Sequence, residues 1–223
     1  MLSGAGRAAI KELSFRTGIY RRTFFERYPY CFTPTQLIFL TNSISQCRGV
    51  PGCIVEAGVY QGATTIFLSH FMAEHDINKR YVAIDTFAGF VPDHAEHEIR
   101  MRSKPNRVRE IFSDNKKCWF DYSMMLSNVR NVTSYEADVG KFDFKAIAPI
   151  AFCLLDVDFY VPTREALPKI YDAISRNGII VVDDCKPGGN WDGALQGYQE
   201  FCATREIKET IVCEKLGVIR KSA

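Results

Sequence analysis

Short apolar segments alternate with longer amphipathic segments along most of the chain. Apolar runs rich in Ile, Val and Leu are typical of buried parallel strands, and apolar residues at helical spacing predict helices that cover a sheet. The segments predicted as parallel strands are Cys53–Ala57, Tyr81–Ile84, Val132–Glu136, Ile150–Leu155 and Ile179–Val182. The segments predicted as helices are Gln36–Gln46, Ala63–Ala73, Trp119–Leu126, Trp191–Cys202, and a stretch through Ala166 and Ile170 that ends at Asn177-Gly178.

The alternation of strands and helices predicts an α/β fold with a doubly wound, Rossmann-like seven-stranded sheet. Ile207–Cys213 and Gly217–Arg220 are predicted to close the sheet as an antiparallel hairpin. Residues 1–50 precede the main domain, residues 51–223, as an N-terminal helical and aromatic arm that is interpreted as a dimerisation element or a substrate wall. Residues 86–115 form an insertion without clear periodicity, and its length is typical of a lid or binding loop.

Composition narrows the classes of function. The chain has 223 residues, 47% of them hydrophobic and 24% charged, with a formal net charge of +2. This is typical of a soluble globular protein, and it supports neither a nucleic-acid partner nor a membrane span. The basic N-terminus lacks the apolar core of a signal peptide, so a cytoplasmic location is expected. The eight cysteines are scattered without a C-x-x-C pair, which favours reduced thiols.

Acidic residues follow the fourth and fifth predicted strands: Asp156 and Asp158 after one, Asp183 and Asp184 after the other. Because neighbouring parallel strands end at the same sheet edge, we expect these carboxylates to meet, and their repulsion requires a cation or a shared proton. Ligation by oxygen alone favours Mg²⁺, with Ca²⁺ or Mn²⁺ as alternatives. A divalent ion there could lower the pKa of a bound hydroxyl, and Asp156 could take the proton.

A two-glycine turn, Glu56-x-Gly58-x-x-x-Gly62, separates the first strand from its helix. The dinucleotide fingerprint G-x-G-x-x-G is absent, and Glu56 would repel a diphosphate. A ligand that carries an ammonium group and a nucleoside fits better, because Asp85 at the end of the second strand can bind ribose hydroxyls. S-adenosylmethionine presents both groups. The structural alternative is a plain strand–helix turn with a surface Asp85.

Two other functions remain open at this point. The pair Asp156-x-Asp158 also resembles the aspartates of Mg²⁺-dependent phosphatases and of sugar-nucleotide glycosyltransferases. In the phosphatases the motif closes the first strand, whereas here it follows a complete strand–helix unit of cofactor-binding type. A non-catalytic protein that binds only the cofactor or a partner is the third interpretation.

Five segments carry a family resemblance across about residues 35–215: VEAGVYQGATTIFLSHF, AIDTFAGFVP, LLDVDFYVPTREALPKIY, RNGIIVVDDC and W-x-G-A-x-x-G-Y-x-x-F. In these segments the chain resembles the macrocin O-methyltransferase family. Its members are class I enzymes that use S-adenosylmethionine to methylate sugar hydroxyls. The resemblance therefore implies the class I methyltransferase fold, a sugar or glycoside acceptor and a homodimer.

The resemblance also implies roles for individual residues. Mg²⁺ would be held by Asp156, Asp183 and Asp184, with Asp156 also suggested as the catalytic base and Asp158 as a supporting residue. The implied S-adenosylmethionine-binding residues are Glu56, Gly58, Tyr60, Gly62, Thr64, Asp85, Thr86 and Asp138.

The segment HEIRMRSKPNRVREIF is unusually basic and departs from the family pattern, so the acceptor is left open between glycosylated natural products and oligosaccharide or polysaccharide precursors. Tyr28, Tyr30 and Trp191 are candidates for stacking on a sugar or for core packing. His94 and His97 are an alternative base or solvated loop residues.

Overall fold

The computed structural model describes residues 4–20 and 28–222, so part of the predicted N-terminal arm lies outside the described residues. The chain divides into two compact units, residues 1–31 and residues 32–223. In the smaller unit, helix α1 spans Gly4–Thr17, which confirms the helical extension. The rings of Tyr28 and Tyr30 pack edge to face in the same unit, with their centroids 5.2 Å apart.

The larger unit contains the predicted seven-stranded sheet, with strand order β3-β2-β1-β4-β5-β7-β6. Its strands are β1 Cys53–Ala57, β2 Tyr81–Asp85, β3 Val132–Glu136, β4 Ile150–Leu155, β5 Ile174–Val182, β6 Ile211–Val212 and β7 Leu216–Arg220. The first five strands run parallel, and β7 is antiparallel to both β5 and β6. The carboxyl ends of β1, β2, β4 and β5 therefore share one edge of the sheet.

Helices cover the sheet. They are α2 Pro34–Gln46, α3 Ala63–Glu74, α4 Pro92–Arg102, α5 Lys117–Leu126, α6 Tyr160–Ala173 and α7 Gly193–Thr204. Short 3₁₀ helices lie at Asn106–Arg109 and Phe144–Ile147. None of the helices in the described part of the chain is long and apolar enough to cross a membrane.

Helix α2 belongs to the larger unit, although the sequence places it in the arm that ends at residue 50. Leu40 and Ile44 on its apolar face are fully buried. Gln36 donates a hydrogen bond from Nε2 to the carbonyl of Cys213, at 2.9 Å, near the end of the chain. The compact unit therefore begins at Phe32 rather than near residue 50.

The apolar runs form the central strands, whose two faces are both covered by other parts of the protein. Every residue of β1 and of β4 is buried. On one face, Val55 and Cys153 pack in a cluster with Ile170 of α6 and Tyr198 of α7. Alternate strand residues point to opposite faces, so a strand covered on both sides is apolar at nearly every position.

The helix before β5 was predicted to end at Asn177-Gly178, but α6 ends at Ala173 and the strand begins at Ile174. Asn177 does adopt a left-handed conformation, with φ 62°. It lies inside an irregular strand, where its N–H donates to the carbonyl of Lys221 at 2.8 Å. The Asn-Gly signal therefore marks a strand irregularity here rather than a helix end.

Residues 86–115 also differ from the expected loop, because they contain helix α4. His94, Ala95 and Glu98 are buried on one face of this helix. At its C-terminal end, Arg102 and Lys104 form ion pairs with Asp192, just before α7, at 2.8 Å and 2.6 Å. The insertion is thus packed and ion-paired against the body of the domain.

Glu98 anchors α4, and its removal is expected to destabilise the fold. The residue is 0% exposed; Oε1 accepts the N–H of Tyr160 at the start of α6, at 2.8 Å, and Oε2 lies 2.9 Å from Nε of Arg102. Glu98→Ala leaves the buried N–H of Tyr160 without its partner and the partly buried Arg102 with one fewer, which is expected to cost about 2–4 kcal/mol. Urea unfolding, monitored by circular dichroism, measures this loss in the free energy of unfolding.

Glu96 provides the matched control on the same helix. Its carboxylate pairs with the exposed side chains of Arg100 and Arg109. Glu96→Ala is therefore expected to leave the unfolding midpoint unchanged. Equal midpoints for the Glu98 and Glu96 variants would contradict the anchoring role of Glu98.

Candidate active site

The turn after β1 touches the end of β4 through the backbone. Gly58 and Gly62 have φ values of 87° and 86°, in the left-handed region that favours glycine. A Cβ atom on Gly58 would lie 1.7 Å from the carbonyl oxygen of Asp156. The two-glycine turn and the first strand-end acid are therefore direct neighbours.

Asp85 organises this turn from the end of β2. Its Oδ2 accepts the N–H groups of Val59 and Tyr60 at 2.8 Å and 2.9 Å, and Oδ1 accepts the N–H of Phe87 at 2.7 Å. The carboxylate thus lies at the turn, as predicted, and it also fixes the backbone there. This arrangement does not match the alternative of a surface Asp85 without a role.

Glu56 is directed into the protein and is 2% exposed. Its Oε2 accepts hydrogen bonds from the hydroxyls of Thr65 in α3 and Tyr81 in β2, both at 2.6 Å. Burial raises the pKa of Glu56 to about 7, against the effect of these two hydrogen bonds, and repulsion from Asp85 adds to the rise. Glu56 therefore joins β1 to its neighbouring elements, and its contact with a cofactor stays a prediction.

The end of the insertion lies against the same turn. Asn115 is buried and donates from Nδ2 to the carbonyl of Tyr60 at 2.6 Å. The ring of Tyr60 lies 4.9 Å from that of Phe112, and its hydroxyl donates to Asp114 at 3.0 Å. Sequence reasoning missed Asn115, because its role depends on the insertion returning to the first turn.

The remaining predicted cofactor residues, Thr64, Thr86 and Asp138, lie in three different segments of the chain. Thr64 is buried in the first turn of α3, and the hydroxyl of Thr86 donates to the carbonyl of Gly89. Asp138 follows β3, where Oδ1 accepts the N–H of Gly140 at 2.9 Å. The structure therefore joins Tyr60 directly to Asp85, while Asp138 is bonded within its own loop.

Three carboxylates meet at the ends of β4 and β5. One oxygen from each of Asp156, Asp158 and Asp184 lies within 4.8 Å of the other two. Asp158 and Asp184 adopt left-handed conformations, with φ 60° and 56°, because the chain turns sharply as it leaves each strand. We call Asp156, Asp158 and Asp184 the acid group.

Asp183 and Lys215 adjoin the acid group. Asp183 is 3% exposed, and its Oδ2 accepts from Nζ of Lys215 at 2.7 Å. The other Asp183 oxygen is buried and has no hydrogen-bond partner among the described residues. Lys215 also donates to Asp184 at 3.0 Å. The geometry thus differs from the implied ligand set, since Asp158 joins the group and the ammonium holds Asp183.

Residues 36–218 match the family model described as Macrocin-O-methyltransferase (TylF). The chain belongs to the macrocin O-methyltransferase family. It is 26% identical over 162 residues to demethyldecarbamoylnovobiocin O-methyltransferase of Streptomyces niveus, covering 66% of this chain and 61% of that enzyme. It is 25% identical over 200 residues to mycinamicin III 3''-O-methyltransferase of Micromonospora griseorubida, covering 82% of this chain and 76% of that enzyme.

Solved structures show that this family member has the class I methyltransferase fold. The O-methyltransferase NovP superposes with a TM-score of 0.71 at 18% identity, covering 84% of this chain and 79% of that one. The calicheamicin methyltransferase CalS11 superposes with a TM-score of 0.68 at 18% identity, covering 99% and 94%. The chain spans less than two thirds of the length of the Streptomyces niveus enzyme, as stated above.

The carboxylates of the acid group are desolvated and repel one another. Desolvation by the surrounding protein raises the pKa of Asp156 well above its usual range, and repulsion from Asp183 and Asp158 adds to it. Desolvation also raises the pKa of Asp158, with repulsion from Asp184 adding to it. The pKa of Asp183 rises to about 6 through burial and repulsion from Asp184, against the effect of Lys215. Hard oxygen donors under mutual repulsion fit a divalent cation such as Mg²⁺.

An aromatic cluster lies beside the acid group, and it includes Trp191. Phe159 directly follows Asp158 in sequence, and its ring lies 3.9 Å from that of Phe90 in the insertion. The indole of Trp191 is half-buried, 5.7 Å from Phe90 and 6.2 Å from Phe112. Trp191 therefore belongs to this cluster, whereas the other stacking candidates, Tyr28 and Tyr30, belong to the smaller unit.

The two histidines of the insertion lie on α4 rather than in an open loop. His94 is buried, and desolvation lowers its pKa, against attraction from Asp138 and Glu165. The ring of His97 stacks on Tyr160 with the centroids 5.5 Å apart. Neither histidine belongs to the acid group, so the carboxylates are the stronger candidates for a base.

Proposed function

We propose that this protein is a Mg²⁺-dependent O-methyltransferase that transfers the methyl group of S-adenosylmethionine to a sugar hydroxyl. The observation that carries the proposal is the backbone contact between Gly58 and Asp156. This contact supports the proposal, because the turn proposed to bind the methyl donor adjoins the acid group proposed to bind the acceptor hydroxyl. The O-methyltransferase activities of the relatives support the same reaction class.

The donor would bind along the ends of β1 and β2. Glycine at position 58 lets a ligand approach the backbone closely, and Asp85 offers its carboxylate to ribose hydroxyls. Each carboxylate oxygen accepts more than one hydrogen bond, so Asp85 can bind ribose while it holds the N–H groups of the turn. Thr64, Thr86 and Asp138 are proposed as further donor contacts.

The acceptor chemistry is assigned to the acid group. Asp156, Asp158 and Asp184 would hold the ion, and Asp183, which the family resemblance implies as a ligand, lies beside them paired with Lys215. When bound, Mg²⁺ lowers the pKa of a hydroxyl that it contacts. Asp156 takes the hydroxyl proton, the oxygen bonds to the methyl carbon, and the sulfur keeps the electron pair of the broken bond.

The acceptor is proposed to be a sugar of a glycosylated natural product or of an oligosaccharide or polysaccharide precursor. Named substrates of the relatives, which include novobiocin, tetracenomycin and mycinamicin derivatives, support this class. Trp191 supports it as well, because it brings a half-buried aromatic ring close to Phe159, next to the acid group. Phe90 and Phe112 of the insertion pack against Trp191 and would extend the same wall of the acceptor site.

Calorimetry with S-adenosylhomocysteine and a radiolabelled methyl-transfer assay test the reaction. We expect micromolar binding of S-adenosylhomocysteine, and methyl incorporation into glycosides that is lost in EDTA and restored by Mg²⁺. Full transfer in EDTA would reject the metal requirement. Phosphatase activity without S-adenosylhomocysteine binding would instead support the rival use of Asp156 and Asp158.

We also propose a cytoplasmic homodimer. Leu13 and Phe15 on α1 are 63% and 62% exposed, which supports burial of α1 against a second copy. All eight cysteines are free thiols, which supports a reducing compartment.

A further inference from the structure

Lys215 provides a positive charge within the negative site. Its side chain is 20% exposed, and Nζ lies 2.7 Å from Oδ2 of Asp183 and 3.0 Å from Oδ1 of Asp184. The ammonium also lies 5.3 Å from the ring centroid of the buried Phe32. Lys215 thus touches two acids and an aromatic face, and a swing into solvent would break all three contacts.

The backbone holds Lys215 in this place. Cys213 and Glu214 adopt left-handed conformations, with φ 49° and 71°, which turn the chain between β6 and β7. The carbonyl of Lys215 accepts the N–H of Cys185, the residue after Asp184, at 2.7 Å. The lysine backbone is therefore bonded to the same strand end that carries its acidic partners.

Helix α2 fixes the other side of this turn. Gln36 donates from Nε2 to the carbonyl of Cys213, and its Oε1 accepts the N–H of Thr33 at 2.8 Å. Gln36 is thus both part of the helix cap and a brace for the turn that presents Lys215. Elements from both ends of the larger unit position one ammonium group.

This ammonium changes which acids are available to a cation. Asp183 directs one oxygen at Lys215 and leaves the other in a buried position. The mutually close oxygens belong instead to Asp156, Asp158 and Asp184. A divalent cation in the acid group would share Asp184 with Lys215, so the two positive charges would repel each other.

We propose that Lys215 is a positioning residue that limits the affinity of the acid group for divalent cations and keeps Asp183 out of its ligand set. The inference rests on the proposed function, because it concerns the same metal site. Lys215 stabilises the carboxylates when no cation is bound. The same charge lowers the affinity of the acid group for a divalent cation, so the bound cation can dissociate.

Mn²⁺ titration of K215M tests this role. Removal of the ammonium is expected to tighten Mn²⁺ binding about tenfold or more, a change of the size seen when groups next to metal ligands are altered. K215R keeps the positive charge beside Asp183 and Asp184, so it is expected to change the Kd for Mn²⁺ much less than K215M does. Isothermal calorimetry and the electron paramagnetic resonance signal of free Mn²⁺ both report the Kd. A merely structural lysine would give the opposite result, since its loss would weaken binding.

Asp183→Asn in the K215M background tests the second part of the proposal. Without the ammonium, Asp183 is free to join the ligands, so its neutralisation is expected to reverse part of the gain in Mn²⁺ affinity. K215Q makes the same charge change while keeping a donor for Asp183, and it replaces K215M if that variant does not fold. Near-UV circular dichroism establishes that each variant has kept its packing.

An unchanged or weaker Kd in folded K215M or K215Q would overturn the proposal. If the wild type binds Mn²⁺ and needs a divalent ion for transfer, that result removes only the role of Lys215. If neither protein binds Mn²⁺ and transfer continues in EDTA, the metal part of the proposed function fails as well. If only the lysine variants bind Mn²⁺, the lysine limits the site, as proposed.

Discussion

Asp156→Asn is expected to lower methyl transfer about a thousandfold while it raises the melting temperature of the metal-free protein. The loss of activity follows because Asp156 is assigned both a ligand and a base role. The gain in stability follows because the carboxylate is desolvated and repelled by Asp183 and Asp158. The amide keeps the shape of the side chain and removes this repulsion.

The sign of the pH dependence follows from the raised pKa. Unfolded Asp156 loses its proton near its ordinary pKa, whereas the folded residue keeps its proton to a higher pH. Stability of the metal-free wild type should therefore fall as pH rises from about 4 toward neutrality, since the folded state binds more protons. Asp156→Asn should flatten this fall, with roughly 2–4 °C of melting temperature gained per kcal/mol of repulsion removed.

Calorimetric melting from pH 5 to pH 8, in EDTA and in Mg²⁺, checks both effects. We expect Mg²⁺ to stabilise the wild type strongly and the variant weakly. Asp172→Asn is the matched control, because Asp172 is an exposed partner of Arg205 on the surface of α6. A variant at position 156 that loses stability in EDTA, or that keeps wild-type transfer, would contradict the assignment.

Gly58→Ala is expected to destabilise the protein by more than about 3 kcal/mol and to abolish S-adenosylhomocysteine binding. The left-handed conformation alone costs an L-residue about 1–2 kcal/mol. The new Cβ would also lie 1.7 Å from the Asp156 carbonyl oxygen, so the backbone of β1 or β4 must move. This movement would separate the two-glycine turn from the acid group.

Alanine substitutions at two other glycines, Gly62 and Gly49, are the controls for Gly58→Ala. A Cβ on Gly62 would meet mainly the Met124 methyl and the Phe120 ring, so Gly62→Ala is expected to cost less than Gly58→Ala. A Cβ on Gly49 meets nothing within 4 Å, so Gly49→Ala should be neutral. Urea unfolding and calorimetry measure all three variants. Equal losses at Gly58 and Gly49 would show that the contact with Asp156 is unimportant.

The sheet could be predicted from sequence because its central strands are covered on both faces. Ile150–Leu155 was predicted with the bounds that the structure shows, and burial at every position explains its apolar run. Helix α4 was missed because only His94, Ala95 and Glu98 of its residues are buried, and two of these are polar. A short helix held by buried polar contacts leaves little hydrophobic periodicity to detect.

The candidate site was predictable where it depends on strand ends. Gly58, Asp85 and Asp156 lie at the carboxyl ends of β1, β2 and β4, which are neighbours in the sheet. The topology alone therefore places them on one edge. Lys215 and Asn115 could not be found in the same way. Each reaches the site from a turn or insertion whose path is set by long-range contacts, such as Gln36 with Cys213.

The bonds from Arg102 and Lys104 to Asp192 have a practical consequence for protein engineering. These ion pairs join the insertion to the segment that carries Trp191, so the two segments should be exchanged together. A chimera that takes only one of these two segments from a relative would leave Asp192 without Arg102 and Lys104, or those two side chains without Asp192. Redesign of the proposed acceptor site should therefore transplant residues 86–115 and 186–192 together.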